Sequence, residues 1–322
     1  MRLRIFPGSP LNWRTGVLTT IHGGALPLKS VGVAAAFRWA GQVSYGEAMS
    51  VPDTHHMILR PREPGLWTTH AGPEWLNPGG GMWGGYAIGL GLKVVQAEPG
   101  AVGEPLAITL TYAAPLYAGD IDVRTRCIRQ GGSVGVWEVR LSQSGSDEVA
   151  VQAMVTMARR PSTPPFAFAT MPQAPDPETL EPLPVGHARQ HFGSVMLEKR
   201  SSEGFPPKVS SDSRTLAWMR SRRDPMDKAL LGMLCDNSPP RAFYALGAQV
   251  MTTTLSLSVF LHASAEEVAA VGNDFILVEY EGRIGGGGAS DERSSYWRRD
   301  GKLLATSEQL VWYRPAPERR WT

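Results

Sequence analysis

The chain has 322 residues, 42% of them apolar and 19% charged, with a formal net charge of +2. That length allows one large or two ordinary domains with true cores, and the balance is that of a globular, soluble protein. Near-neutrality without a long Lys/Arg run argues against a nucleic-acid partner, and no apolar run approaches the roughly 20 residues of a membrane span.

Residues 1–60 stand apart. They carry five basic residues before Asp53 and one acidic residue, Glu47. We expect a poorly structured leader there, an upstream extension or arm rather than an organelle-targeting peptide. From Leu66 the pattern becomes regular. A strand-like stretch (GLWTTHAGPEWLN) leads into a glycine-rich opening and a helix (GGGMWGGYAIGLGLKVVQAE). Four strand-like runs follow: EPLAITLTYAAPL, DIDVRTRCIRQ, SVGVWEVRLSQ and EVAVQAMVTMARR. In the first, Leu106, Ile108, Leu110 and Tyr112 alternate with small or polar residues, the period of a half-buried strand. Gly131-Gly132 and Ser144-Gly145-Ser146 supply turns.

Residues 161–210 hold eight prolines between Pro161 and Pro184 and predict a linker. The second half then restarts the same order. SRTLAWMRSR reads as a strand, PMDKALLGMLCD as a helix with Pro225 at its start, and TLSLSVFLH, DFILVEYEGRI, DERSSYWRR and KLLATSEQLVWYR as strands. Gly285 to Gly288 read as a hairpin connection. The order implies a duplicated α+β unit over 61–160 and 211–316, each an antiparallel sheet. The first helix is apolar nearly all round, so it calls for a curved sheet wrapped about it.

Two cysteines, Cys127 and Cys235, lie far apart in apolar contexts and predict no disulfide, hence a reducing, cytoplasmic compartment. The basic clusters Arg159-Arg160, Arg220 with Arg222-Arg223, and Arg298-Arg299 read as solvated surface.

Three polar residues of the second half occupy apolar surroundings. Asp236 ends a helix, Thr254 opens a strand and Gln309 lies in the last one. A carboxylate, a hydroxyl and an amide can together hold and polarise a water molecule. Each alone has a plainer reading: a turn aspartate, a strand threonine, a surface glutamine. Asp236, however, sits at a helix C-terminus, the unfavourable end of the dipole for a carboxylate, at a cost of ~0.3–1 kcal/mol. Gly84 and Gly85 at the first helix could present free N–H groups to a carbonyl oxygen; Gly79 to Gly81 read as packing. No Gly-x-Ser-x-Gly elbow exists. His187 and His191 lack the glutamate of a zinc-protease motif, His55-His56 falls in the leader, and no cysteine pair has metal spacing.

These motifs resemble the acyl-CoA thioesterase II family of double hotdog proteins over roughly residues 65–315. MWGGYAIGLGL is similar to the family's glycine-pair helix opening. LCDNSPP, TTTLSLSVFLH and ATSEQLVWYR resemble the segments that carry its catalytic aspartate, threonine and glutamine, which fall on Asp236, Thr254 and Gln309. The resemblance implies two tandem hotdog domains, acyl-CoA as substrate, hydrolysis by activated water, no metal or other cofactor, and a homo-oligomer, since two fused units commonly pair again. A non-catalytic acyl-CoA or fatty-acyl binding protein, or a hotdog dehydratase or hydratase using His70, are the alternatives.

Overall fold

The computed structural model describes residues 57–77, 79–183, 196–204, 210 and 212–314. The chain divides into residues 1–48 and 49–322, and everything below belongs to the second unit. Most of the expected leader, and His55, His56, His187 and His191, lie outside the described residues. Met57, at the end of the leader span, is buried in the core.

The first half runs β1 (Arg60–Glu63), β2 (Leu66–Ala71), a 3-10 turn (Pro73–Trp75), α1 (Gly84–Ala97), β3 (Glu104–Tyr112), β4 (Gly119–Gln130), β5 (Val134–Gln143) and β6 (Val151–Ala158). The second runs β7 (Leu197–Arg200), β8 (Thr215–Ser221), α2 (Lys228–Leu234), α3 (Arg241–Leu246), β9 (Met251–Leu261), α4 (Ala265–Ala269), β10 (Ile276–Glu281), β11 (Gly285–Gly286), β12 (Ala289–Arg298) and β13 (Leu303–Arg314). The expected strands and both long helices are present. Each half also gains an edge strand, β1 or β7, and the second gains two short helices. These additions span only four to six residues each, too few for a periodic pattern to emerge. β7 lies inside the span expected as linker. Its LEKR sequence is free of proline and pairs with β8 at the sheet edge.

All the strands form one antiparallel sheet, whose main path is β1-β2-β4-β5-β6-β3-β9-β13-β12-β10-β8-β7. The order is palindromic about the β3–β9 pair, so the two halves are related by a pseudo-twofold axis. Each half curls round its own helix. Tyr86, Ile88, Leu90, Leu92, Val94 and Val95 of α1 are fully buried. The two helices pack against each other through glycines: a Cβ on Gly232 would lie 2.7 Å from Leu92, and one on Gly89 would lie 2.7 Å from Met233. Only hydrogen at these positions allows so close an approach.

One charged residue expected on solvated surface joins the halves instead. Arg160 donates to the carbonyls of Leu261 (2.7 Å) and Ala263 (3.2 Å) and pairs with Glu104. Cys127, expected in an apolar context, is exposed, whereas Cys235 is buried; both are free thiols. Among the described residues, no helix is long and apolar enough to cross a membrane and no cluster could hold a metal ion.

Candidate active site

The last turn of α2 is held by side chains from three directions. Tyr296 on β12 donates to the Leu234 carbonyl (3.3 Å), Ser307 on β13 to that of Cys235 (3.5 Å), and Trp83, just before α1, to that of Asp236 (2.9 Å). Consecutive carbonyls at the end of the helix thereby gain side-chain donors. The backbone of Asp236 is fixed by both halves of the molecule.

The Asp236 carboxylate points to the start of α1. It lies within hydrogen-bonding reach of the backbone N–H of Gly85 and of the Thr254 hydroxyl. The carboxylate at the unfavourable end of α2 thus occupies the favourable end of α1, which resolves its unusual position. Gly85 was expected to offer its N–H to a carbonyl oxygen; in the structure that N–H faces the Asp236 carboxylate. The Gly84 N–H has no partner among the described residues. A Cβ on Gly84 would stand 2.7 Å from Asp236 Oδ2 and 3.1 Å from the Tyr112 hydroxyl. Tyr112 in turn donates to the Gly84 carbonyl (3.1 Å).

Thr254 on β9 donates to Gln309 Oε1 on the adjacent strand β13 (3.3 Å), so all three expected polar residues come together. The chain continues to a residue that sequence reading did not single out. Gln309 Nε2 donates to Glu292 Oε2 (3.1 Å), and the other oxygen of Glu292 accepts the Arg241 backbone N–H (2.8 Å). Glu292 is 2% exposed and lies directly opposite Gln309 in the β12–β13 register. Its signal in the sequence was an inward-facing carboxylate in DERSSYWRR, visible only once the alternation of β12 is assigned to a face. Tyr112 was also missed, because it lies in the other half of the chain.

Burial, and after it the charge of Glu292, push the Asp236 carboxyl up to about 7, opposed by the neighbouring Gly85 N–H and Thr254 hydroxyl. Burial raises Glu292 too, opposed by Arg241. Tyr112 is held well above the ordinary phenol range by burial and then by the charge of Asp236. A partly accessible carboxylate with this proton affinity is poised to take a proton near neutral pH.

The pseudo-twofold relates this polar set to a different set of residues in the other half. Thr109 and Ser258 face each other at the centre of the β3–β9 pairing. Counting back equally from this pair, Thr254 corresponds to Pro105. Leu257, the partner of Gln309, corresponds to Ile108, whose own partner is Val155. Glu292 opposes Gln309; its counterpart opposite Val155 is Trp137. Proline, valine and tryptophan thus replace threonine, glutamine and glutamate. Beside them the buried Lys228 donates to the Pro105 carbonyl (2.9 Å) and pairs with Glu104 (3.2 Å). The second position is filled and sealed.

Residues 72–158 match the acyl-CoA thioesterase N-terminal domain, and residues 168–313 match the acyl-CoA thioesterase C-terminal domain. The chain belongs to the acyl-CoA thioesterase family. Among solved structures, a protein of unknown function with the hotdog fold from Alicyclobacillus acidocaldarius is 26% identical. It covers 81% of this chain and 97% of its own, with a TM-score of 0.76. A tesB protein of Mycobacterium avium is 19% identical over 83% of this chain and 100% of its own (TM-score 0.65). The acyl-CoA thioesterase II TesB2 of Mycobacterium marinum is 15% identical over 82% and 98% (TM-score 0.62). The family member described here therefore has two tandem hotdog domains. Comparison with curated proteins finds no match.

Proposed function

We propose that the protein hydrolyses the thioester of acyl-CoA to free CoA and a carboxylic acid, with Asp236 as general base. The observation that supports this most is the convergence of Asp236, Thr254 and Gln309 at the N-terminus of α1, joined by the Thr254–Gln309 hydrogen bond. Asp236 takes a proton from water as the water oxygen attacks the thioester carbonyl carbon. Thr254 and Gln309 hold that water, each offering both donor and acceptor positions. The Gly84 N–H, at the positive end of α1, faces the oxygen that gains charge, while Gly85 anchors the base. Collapse of the tetrahedral adduct breaks the C–S bond, and the proton on Asp236 passes to the departing sulfur.

The dehydratase reading required His70. Its ring lies at the exposed surface on Asp120 (2.7 Å), a pair that β2–β4 pairing explains on its own. The binding-protein reading leaves the raised proton affinity of Asp236 without a purpose. The test is thiol release from a panel of acyl-CoA esters of increasing chain length. Release from at least one is expected; binding to them without release would favour the binding protein. Cytoplasmic location and pairing into an oligomer are further parts of the proposal, and size measurement in solution checks the second.

A further inference from the structure

We infer that Glu292 is a positioning residue of this site: by accepting from Gln309 Nε2 it fixes which end of the Gln309 amide faces Thr254 and Asp236. This rests on the function proposed above. A carboxylate can only accept, so the amide nitrogen must turn towards Glu292 and the amide oxygen towards the Thr254 hydroxyl. Without Glu292 the two ends of an amide are nearly equal in size, and Gln309 has no reason to prefer one. The preferred orientation leaves an oxygen lone pair facing the position of the attacking water. The reversed amide would present N–H groups there and compete for the Asp236 carboxylate.

The placement of Glu292 is itself over-determined. It is almost wholly buried, receives the backbone N–H of Arg241 at 2.8 Å, and interacts with the charge of Arg241 and the Ser238 hydroxyl. A core position opposite Gln309 needs no carboxylate to pack: Trp137 fills the pseudo-symmetric one with an apolar ring. A buried carboxylate retained beside a second one carries a desolvation cost that packing does not repay.

Glu292 also acts on Asp236 through charge. The titratable groups facing Asp236 are Glu292 from β12, Tyr112 from β3 and Cys235 beside it at the end of α2, and those facing Glu292 include Arg241 on α3. Of these, Glu292 is the one whose negative charge raises the Asp236 carboxyl.

Two variants separate the effects. Glu292→Gln keeps the shape and removes the charge; Glu292→Asp keeps the charge but is one methylene too short for the contact. Both are compared with wild type and Asp236→Asn by thiol release across pH 5–9, on the best acyl-CoA of the panel. For Glu292→Gln we expect kcat to fall about 10- to 100-fold, KM to change less than about threefold, and the acidic limb to move to lower pH. For Glu292→Asp we expect a similar loss of kcat with the limb unmoved. Wild-type kcat and an unmoved limb in a folded Glu292→Gln would overturn the inference. Should Glu292→Gln fail to fold, wild-type kcat in Glu292→Asp would do the same. A wild type without turnover, or a fully active Asp236→Asn, would instead refute the proposed function, which keeps the two failures apart.

Discussion

Trp83 Nε1 donates to the carbonyl oxygen of Asp236 at 2.9 Å, tying the entrance of the first helix to the exit of the second. The residues it joins are separated by more than half the length of the described chain, so the proposed base is positioned by the docking of the two hotdog units. Trp83→Phe removes this bond while keeping most of the ring. It should cost about 1 kcal/mol of stability and reduce kcat several-fold, because the carboxylate loses one of its fixed supports. Denaturant unfolding and thiol-release kinetics on the same preparation check both.

Gly84 and Gly85 should respond differently to alanine. A Cβ on Gly84 would meet the carboxylate of Asp236 and the hydroxyl of Tyr112, both side chains that can move. Gly84→Ala should therefore fold and lose about 10²-fold in kcat by displacing the base. A Cβ on Gly85 would meet the Met233 carbonyl at 2.6 Å and run into the Trp83 ring. Backbone cannot yield so easily, and Gly85→Ala should cost on the order of 1–3 kcal/mol through overpacking. Thermal melting and kinetics on both variants distinguish a displaced base from a strained helix pair.

Much of this was legible in the sequence. Alternation in EPLAITLTYAAPL and TLSLSVFLH gave β3 and β9, and the apolar circumference of GGYAIGLGLKVV gave an enclosed helix. Asp236, Thr254 and Gln309 were legible as out-of-place polar residues. Glu292 was not, because its meaning depends on standing opposite Gln309, and register is a property of two strands rather than one. The Asp236–Gly85 contact was hidden for a similar reason. One end of a helix looked unfavourable for a carboxylate until the other helix supplied its N-terminus. Lys228, in an otherwise apolar helix, gave no hint that it closes the pseudo-symmetric position.

Lys228 should matter for folding and not for turnover. It is 4% exposed, and its partner Glu104 also accepts the Ala265 backbone N–H. Lys228→Met leaves Glu104 with Arg160 as its one cationic partner among the described residues, beside the Ala265 N–H, and frees the Pro105 carbonyl. Loss of one partner of a buried pair costs about 3–5 kcal/mol, reduced here because Arg160 remains. We expect about 2–3 kcal/mol in urea unfolding, with kcat within twofold of wild type. A large loss of turnover at full stability would mean that the sealed half takes part in the chemistry.

The raised carboxyl of Asp236 links stability to pH. Its value is about 7 in the folded protein against 3.8 ordinarily, so the folded state holds a proton that the unfolded chain has released. The stability associated with that proton is complete below about pH 4 and is lost as pH rises through 7. Asp236→Asn cannot lose it. Between pH 4 and pH 8 the variant should gain on wild type by on the order of 1–3 kcal/mol, allowing for partial exposure of the site. Melting temperatures of both proteins at the two pH values check the sign: equal differences at pH 4 and pH 8 would place the Asp236 carboxyl in its ordinary range. The same group sets activity, which should fall as pH drops below 7 because only the ionised carboxylate accepts a proton.

The central claim is that Asp236 takes the proton of the attacking water. Its most direct test is kcat for wild type and Asp236→Asn at pH 8, on the acyl-CoA that wild type turns over fastest. A loss of about 10²–10⁴ in kcat, with KM changed by no more than a few-fold and an unchanged fold, is the predicted result. Turnover by Asp236→Asn within a few-fold of wild type would contradict it and move the base elsewhere in the site.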